Sequence, residues 1–144
     1  MHRDLKCGNI VLDQNYHIKL IDFATCKIIE NPLLNAKIAA FNIRNCSTPH
    51  NCEMLNRVNS LVGTEEYLAP ETICDGHLSY TCDYWSLGII LYEMLCGYTP
   101  FKGQTNEETV KNIQNLKEIK FPDNFKIDPN AKDLIEQLLS KDPL

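Results

Sequence analysis

His2-Arg3-Asp4-Leu5-Lys6-Cys7-Gly8-Asn9, with Asp22-Phe23-Ala24 after it and Ala69-Pro70-Glu71 further on, decides how this chain is read. The residues between the first two stretches are β-prone. Ile10-Val11-Leu12 and Ile18-Lys19-Leu20-Ile21 flank the turn formers Asp13-Gln14-Asn15-Tyr16-His17, which predicts a small hairpin over about 10–21. Taken singly, Asp4 and Asn9 read as a turn or cap pair. From Asn31 to Asn59 the periodicity dissolves. Seven of those 29 residues are Asn and two are Pro, so a long loop, in part disordered, is expected there.

Order returns at Leu61. Asp83 to Cys96 is apolar nearly all round, which predicts a helix buried on most faces. Gly97 and Pro100 end it. Thr105-Asn106-Glu107-Glu108 fits a capping box ahead of Val110, Ile113 and Leu116, so a surface helix follows. Asp128-Pro129 offers an N-cap with Pro at the first helical position. Leu134, Ile135, Leu138 and Leu139 then mark one buried face of a last helix.

Composition narrows the function. The 144 residues allow about one domain. With 14 basic and 19 acidic side chains the net charge is −5, which disfavours a general nucleic-acid binder. No run approaches the ~20 apolar residues of a transmembrane segment, and Met1-His2-Arg3-Asp4 opens no secretory signal. Seven irregularly spaced cysteines argue for reduced thiols and, by default, a cytoplasmic setting.

The three opening motifs stand in the order H-R-D-L-x-x-x-N, D-F-G, A-P-E, the protein-kinase signature. A hairpin separates the first two and a long segment the last two. The whole chain therefore resembles the C-terminal lobe of a eukaryotic protein kinase. The resemblance implies an α+β fold, a mainly helical C-terminal lobe with a small β-hairpin. It divides residues 1–144, a partial kinase domain, into a catalytic loop (2–9), an activation segment (22–71) and a helical body (81–144). The N-terminal lobe, with its Gly-rich loop and strand lysine, is expected to be absent, and the isolated chain to have little or no activity.

The same resemblance implies ATP and Mg2+ as cofactors and a protein as substrate. Phosphoryl transfer needs positioning and charge neutralisation. Asp4 takes the role of the base that orients the substrate hydroxyl. Lys6 resembles the lysine that offsets charge on the transferring phosphate in serine/threonine kinases. Asn9 and Asp22 offer the hard oxygen ligands magnesium prefers. Val11, Ile90 and Met94 are similar to residues beneath the adenine, although plain core is a sufficient reading of them. His2 and Phe23 resemble a stacked pair linking the two catalytic segments. Asp83 looks like the helix-start aspartate that holds the catalytic loop, and Trp85 reads as core. Glu93 is either a receptor for a basic substrate residue or a buried structural acid.

Ser60 through Glu71, with Gly63-Thr64-x-x-Tyr67-x-Ala69-Pro70-Glu71, resembles the AGC group of serine/threonine kinases. Within it the phosphoinositide-dependent kinase is the nearest type, with calcium/calmodulin-type kinases second. Thr64 matches the threonine that contacts the catalytic aspartate and lysine. Ser60 sits where that group carries an activating phosphate, added by an upstream kinase or by autophosphorylation, and Arg3 is the cation to pair with it. An unmodified loop serine is the plainer alternative.

Some positions depart from the pattern. Ala24 replaces a glycine, and Cys7-Gly8 replaces the common Pro-Glu, removing a possible substrate-reading acid. Cys46, His50 and Cys52 make a poor zinc signature. Glu71 is expected to lack its arginine partner. A non-catalytic kinase-like docking or scaffold module is the alternative function.

Overall fold

A computed structural model describes residues 1–27, 65–75, 80–123 and 126–141. The expected hairpin forms. Strands β1 (Ile10–Leu12) and β2 (Ile18–Leu20) pair antiparallel, with Ile10 opposite Leu20 and Leu12 opposite Ile18. Its turn is built by Asp13, whose carboxylate accepts from the backbone N–H groups of Asn15 at 2.8 Å and His17 at 3.0 Å. These bonds favour the ionised form and hold the Asp13 carboxyl below its ordinary value. The hairpin's apolar side chains, Leu12, Ile18 and Leu20 among them, are exposed.

Four helices follow among the described residues: α1 (Pro70–Asp75), α2 (Thr81–Cys96), α3 (Asn106–Gln114) and α4 (Pro129–Leu138). The caps read from sequence are in place. Thr105 Oγ1 accepts from Glu108 N–H at 3.2 Å, and an Asp128 carboxylate oxygen from Asn130 N–H at 2.8 Å. Glu108 reaches back one residue beyond a capping box, to Gln104 N–H at 2.7 Å. Gly97 closes α2 with φ 82°, a left-handed turn that glycine adopts without a Cβ penalty.

The core lies between α2 and its neighbours. Cys82, Trp85, Ile89, Tyr92 and Cys96 of α2 meet Phe101, Ile113 of α3, and Ile135 and Leu139 at α4. Trp85 stacks on Phe101 with ring centroids 5.8 Å apart. The backbones of α2 and α4 approach closely because Gly88 faces Leu139. A Cβ at Gly88 would lie 2.8 Å from Leu139 Cδ2.

Two expectations need correction. Helix α2 is buried on one side, not most. Tyr84, Leu87, Met94 and Leu95 stand exposed on it, since an apolar helix buries only the faces that its neighbours cover. Plain core therefore fits Ile90, at 2% exposure, but not Met94 at 72% or Val11 at 40%. On α4, Ile135 and Leu139 are buried and Leu134 faces outward. The expected loop over 31–59, with Cys46, His50 and Cys52, lies outside the described residues.

Candidate active site

The segment from Met1 to Asn9 is fastened on two sides. On one side it runs against residues 21–27. Met1 and Lys27 exchange two hydrogen bonds of 3.0 Å, and Ile21 N–H donates to Asn9 O at 3.0 Å. Thr25 Oγ1 donates to His2 O at 2.9 Å, and the Arg3 guanidinium donates to Thr25 O. The His2 ring lies 3.1 Å from Ile21 O and 5.2 Å, centroid to centroid, from Phe23.

On the other side stands Asp83, in the first turn of α2. Its two carboxylate oxygens accept from His2 N–H at 2.7 Å and Arg3 N–H at 2.8 Å. The N-terminal end of a helix favours this charge. Such bonds hold Arg3 at φ 70°, a backbone region that non-glycine residues seldom occupy. The fold thus presents the next residue, Asp4, in a fixed position.

Three side chains meet there. Lys6 Nζ lies 2.9 Å from Asp4 Oδ2. Asn9 Nδ2 donates to Asp4 O at 2.8 Å and to Asp4 Oδ2 at 3.1 Å. Asp4 Oδ2 is therefore held by an ammonium and an amide. Asp4 Oδ1 is buried and has no partner among the described residues. A buried polar atom without a partner costs stability, so its retention points to use.

The Asn9 amide nitrogen faces Asp4, which leaves its oxygen without a protein donor among the described residues. Asp22 follows Ile21, whose N–H is bonded to Asn9 O, so the hairpin brings both to one edge of the site. Asp22 is exposed, makes no side-chain cap bond, and adopts φ 62°. One amide oxygen and one carboxylate make a partial set of hard ligands. They fit magnesium, which usually completes its shell with phosphate oxygens and water. No group of three or more His, Cys, Asp and Glu side chains suited to a metal occurs among the described residues.

Ala24 sits in the short 3-10 turn Phe23–Thr25 and is not among the residues of positive φ. The left-handed conformation falls on Asp22 instead, so alanine is accommodated here without strain. Glu71, expected to lack its arginine partner, accepts from the Thr81 hydroxyl at 2.9 Å. Val11 lies on the exposed hairpin. Ser60 and Thr64 are outside the described residues.

A second cluster was not anticipated. Glu93 Oε2 accepts from Tyr67 OH at 2.5 Å and from Cys7 Sγ at 3.0 Å. Burial, then the bond to Glu93, pushes the Cys7 thiol up to about 11, and the same two causes raise the Tyr67 phenol. Sequence marked Cys7 only as a departure. Its one hint was a thiol standing where the motif usually places proline.

A family model for the protein kinase domain matches residues 1–144. The chain belongs to the protein kinase family. It is 42% identical over 146 residues to yeast (Saccharomyces cerevisiae) Flippase kinase 1, covering 98% of this chain and 16% of that protein. It is 41% identical over 148 residues to Phototropin-1A of rice, with 99% and 16% covered. To human Citron Rho-interacting kinase it is 37% identical over 147 residues, with 96% and 6% covered. The kinase chain thus spans about a sixth, or less, of the length of these relatives. No described helix is long and apolar enough to cross a membrane.

Proposed function

We propose that the protein carrying this chain is a serine/threonine kinase that transfers the γ-phosphate of ATP to hydroxyls of protein substrates. One observation supports the reading above all. Asp4 keeps one buried carboxylate oxygen without a partner among the described residues, while Lys6 and Asn9 hold the other. The free oxygen is the acceptor for the proton of an incoming hydroxyl. Lys6 carries the positive charge that offsets charge developing on the phosphoryl oxygens. Asn9 and Asp22 are the residues to hold Mg2+. Bound magnesium supplies neutralisation of phosphate charge. Val11, exposed on the hairpin, is an apolar surface for the adenine.

The Gly-Thr-x-x-Tyr-x-Ala-Pro-Glu run supports membership of the AGC group, near the phosphoinositide-dependent kinase type. Phosphorylation of Ser60, by an upstream kinase or in cis, with Arg3 as its cation, and contact of Thr64 with Asp4 and Lys6 complete the reading. A non-catalytic docking module is less well supported, since a scaffold has no use for an Asp4–Lys6–Asn9 cluster. The reduced thiols suit a cytoplasmic protein.

The test is Mg-ATP-dependent phosphorylation of a serine/threonine peptide by the intact protein, beside its Asp4→Asn variant. Loss of about 100-fold or more in kcat with unchanged thermal stability is expected, the scale of a positioned acid or base. Equal activity of the two proteins, or no ATP binding by either, would reject catalysis through Asp4.

A further inference from the structure

Glu65 and Glu66 place two carboxylates side by side in the short 3-10 turn Glu65–Tyr67. Both are drawn inward, against the preference of a charge for water. Glu65 is buried at 2% exposure, and its Oε1 accepts from Asn106 Nδ2 at 3.2 Å. Asn106 opens α3, where the helix end favours a negative charge. The Glu66 side chain is 19% exposed. Its Oε1 lies 2.9 Å from Lys102 Nζ, and its Oε2 accepts from the hydroxyl of the buried Thr99. The bond to Glu66 is the first cause that raises the Lys102 ammonium above its ordinary value. All three partners come from the connection between α2 and α3 and its first helical residue.

The same turn borders the catalytic loop. Ser86 Oγ donates to Tyr67 O at 3.0 Å, and Tyr67 OH is joined through Glu93 to the Cys7 thiol. Tyr67, Leu68 and Ala69 share a small cavity with Arg3, the neighbour of Asp4. A carboxylate placed as Glu66 is stays there only while it is paired. Without its two donors it regains solvation by turning outward, and the turn moves with it.

We propose that Lys102 and Thr99 are positioning residues for phosphoryl transfer: from the connection between α2 and α3 they hold Glu66, and through it the turn Glu65–Tyr67, against the catalytic loop. This inference rests on the kinase reading above and adds to it two residues far in sequence from the motifs. The two donors act differently. Lys102 is 63% exposed, so salt screens its attraction for Glu66. The Thr99 hydroxyl, being buried, is shielded from salt.

Two measurements test the proposal. The first is amide hydrogen exchange in the 144-residue chain at Leu68, whose N–H donates to Glu65 O across the turn at 3.2 Å. Leu139 N–H, bonded to Ile135 O on α4, is the remote reference. Lys102→Ala should speed exchange at Leu68 by about threefold, the scale of a surface ion pair. Thr99→Val should speed it by about tenfold, the scale of a hydrogen bond to a charged group. Lys102→Arg should leave it near wild type. About 0.5 M NaCl should loosen Leu68 in wild type and add little in Lys102→Ala. Unchanged exchange in both variants, a wild type indifferent to salt, or an equal rise at Leu139 overturns the proposal. The salt response of wild type needs no variant to fold.

The second is steady-state phosphorylation of a serine peptide by the intact protein. Lys102→Ala should lower kcat by about threefold and leave the KM for ATP unchanged. Lys102→Arg should restore kcat, which a role in packing alone does not require. An active wild type with equal kcat in Lys102→Ala overturns the positioning role and leaves the kinase reading intact. An inactive wild type overturns the kinase reading and the proposal with it.

Discussion

Replacing Asp83 by alanine tests whether the site is fastened as the geometry indicates. The Asp83 carboxylate accepts two backbone N–H groups, at 2.7 Å and 2.8 Å. Hydrogen bonds to a charged group contribute about 1.5–3 kcal/mol each. Partial exposure of Asp83 argues for the lower end, so about 3 kcal/mol for the pair. Alanine also leaves two donors without an acceptor, and water can reach one or both. A loss of about 3–4 kcal/mol follows, a large part of the 5–15 kcal/mol typical of a domain. Urea unfolding of the chain, followed by Trp85 fluorescence, reads it. With an m value of about 2 kcal/mol per M, the midpoint should fall by about 1.5–2 M. Amide exchange at His2 and Arg3 should lose its protection in the same variant. A midpoint within about 0.3 M of wild type, with both amides still protected, would refute the assignment of Asp83 as the fastening.

Other outcomes follow from the same structure. Gly88→Ala drives a methyl into Leu139 and Leu138 across the α2–α4 contact. It should cost about 1–3 kcal/mol by overpacking, read as a lowered Tm. Cys7 and Cys82 are both pushed up to about 11 from an ordinary 9.0, burial being the first cause in each. A thiol with a raised folded-state value favours folding fully below pH 9 and loses that contribution as pH rises toward 11. Urea midpoints should therefore decline between pH 9 and 11, and Cys82→Ala should flatten that decline. An alkaline limb identical to wild type would discount the thiol.

Much of the fold was legible because its determinants are local. The hairpin, the Thr105 and Asp128 caps and the Gly97 stop each depend on a few consecutive residues. The Asp4, Lys6 and Asn9 grouping was legible for the same reason, since it lies within six residues. The apolar run of α2 was less informative. It recorded how much surface the helix could bury but not which faces its neighbours cover, so Tyr84, Leu87 and Met94 were misjudged. The Cys7–Glu93–Tyr67 cluster could not be read at all. Its members come from three elements, with Cys7 and Glu93 86 positions apart, and no periodicity joins them. Ala24 stands where the pattern has glycine, yet the left-handed turn lies two residues earlier, at Asp22 and not at Ala24 or Phe23.

The bond between Asp83 and the His2 N–H spans 81 positions, and that separation has a consequence for biosynthesis. The segment from Met1 to Asn9 leaves the ribosome before its anchor, which follows much later. At about 5–20 residues per second, roughly 4–16 s pass between synthesis of the two. During that interval Asp4, Lys6 and the apolar hairpin are on a nascent chain in which the Thr25 contacts are available to Arg3 but the Asp83 carboxylate is not. The fastening of Arg3 to Asp83 is thus completed only after α2 has been made. A pause in translation before α2 would prolong the exposure of the hairpin, and a chaperone acting on this chain would have its work in that window.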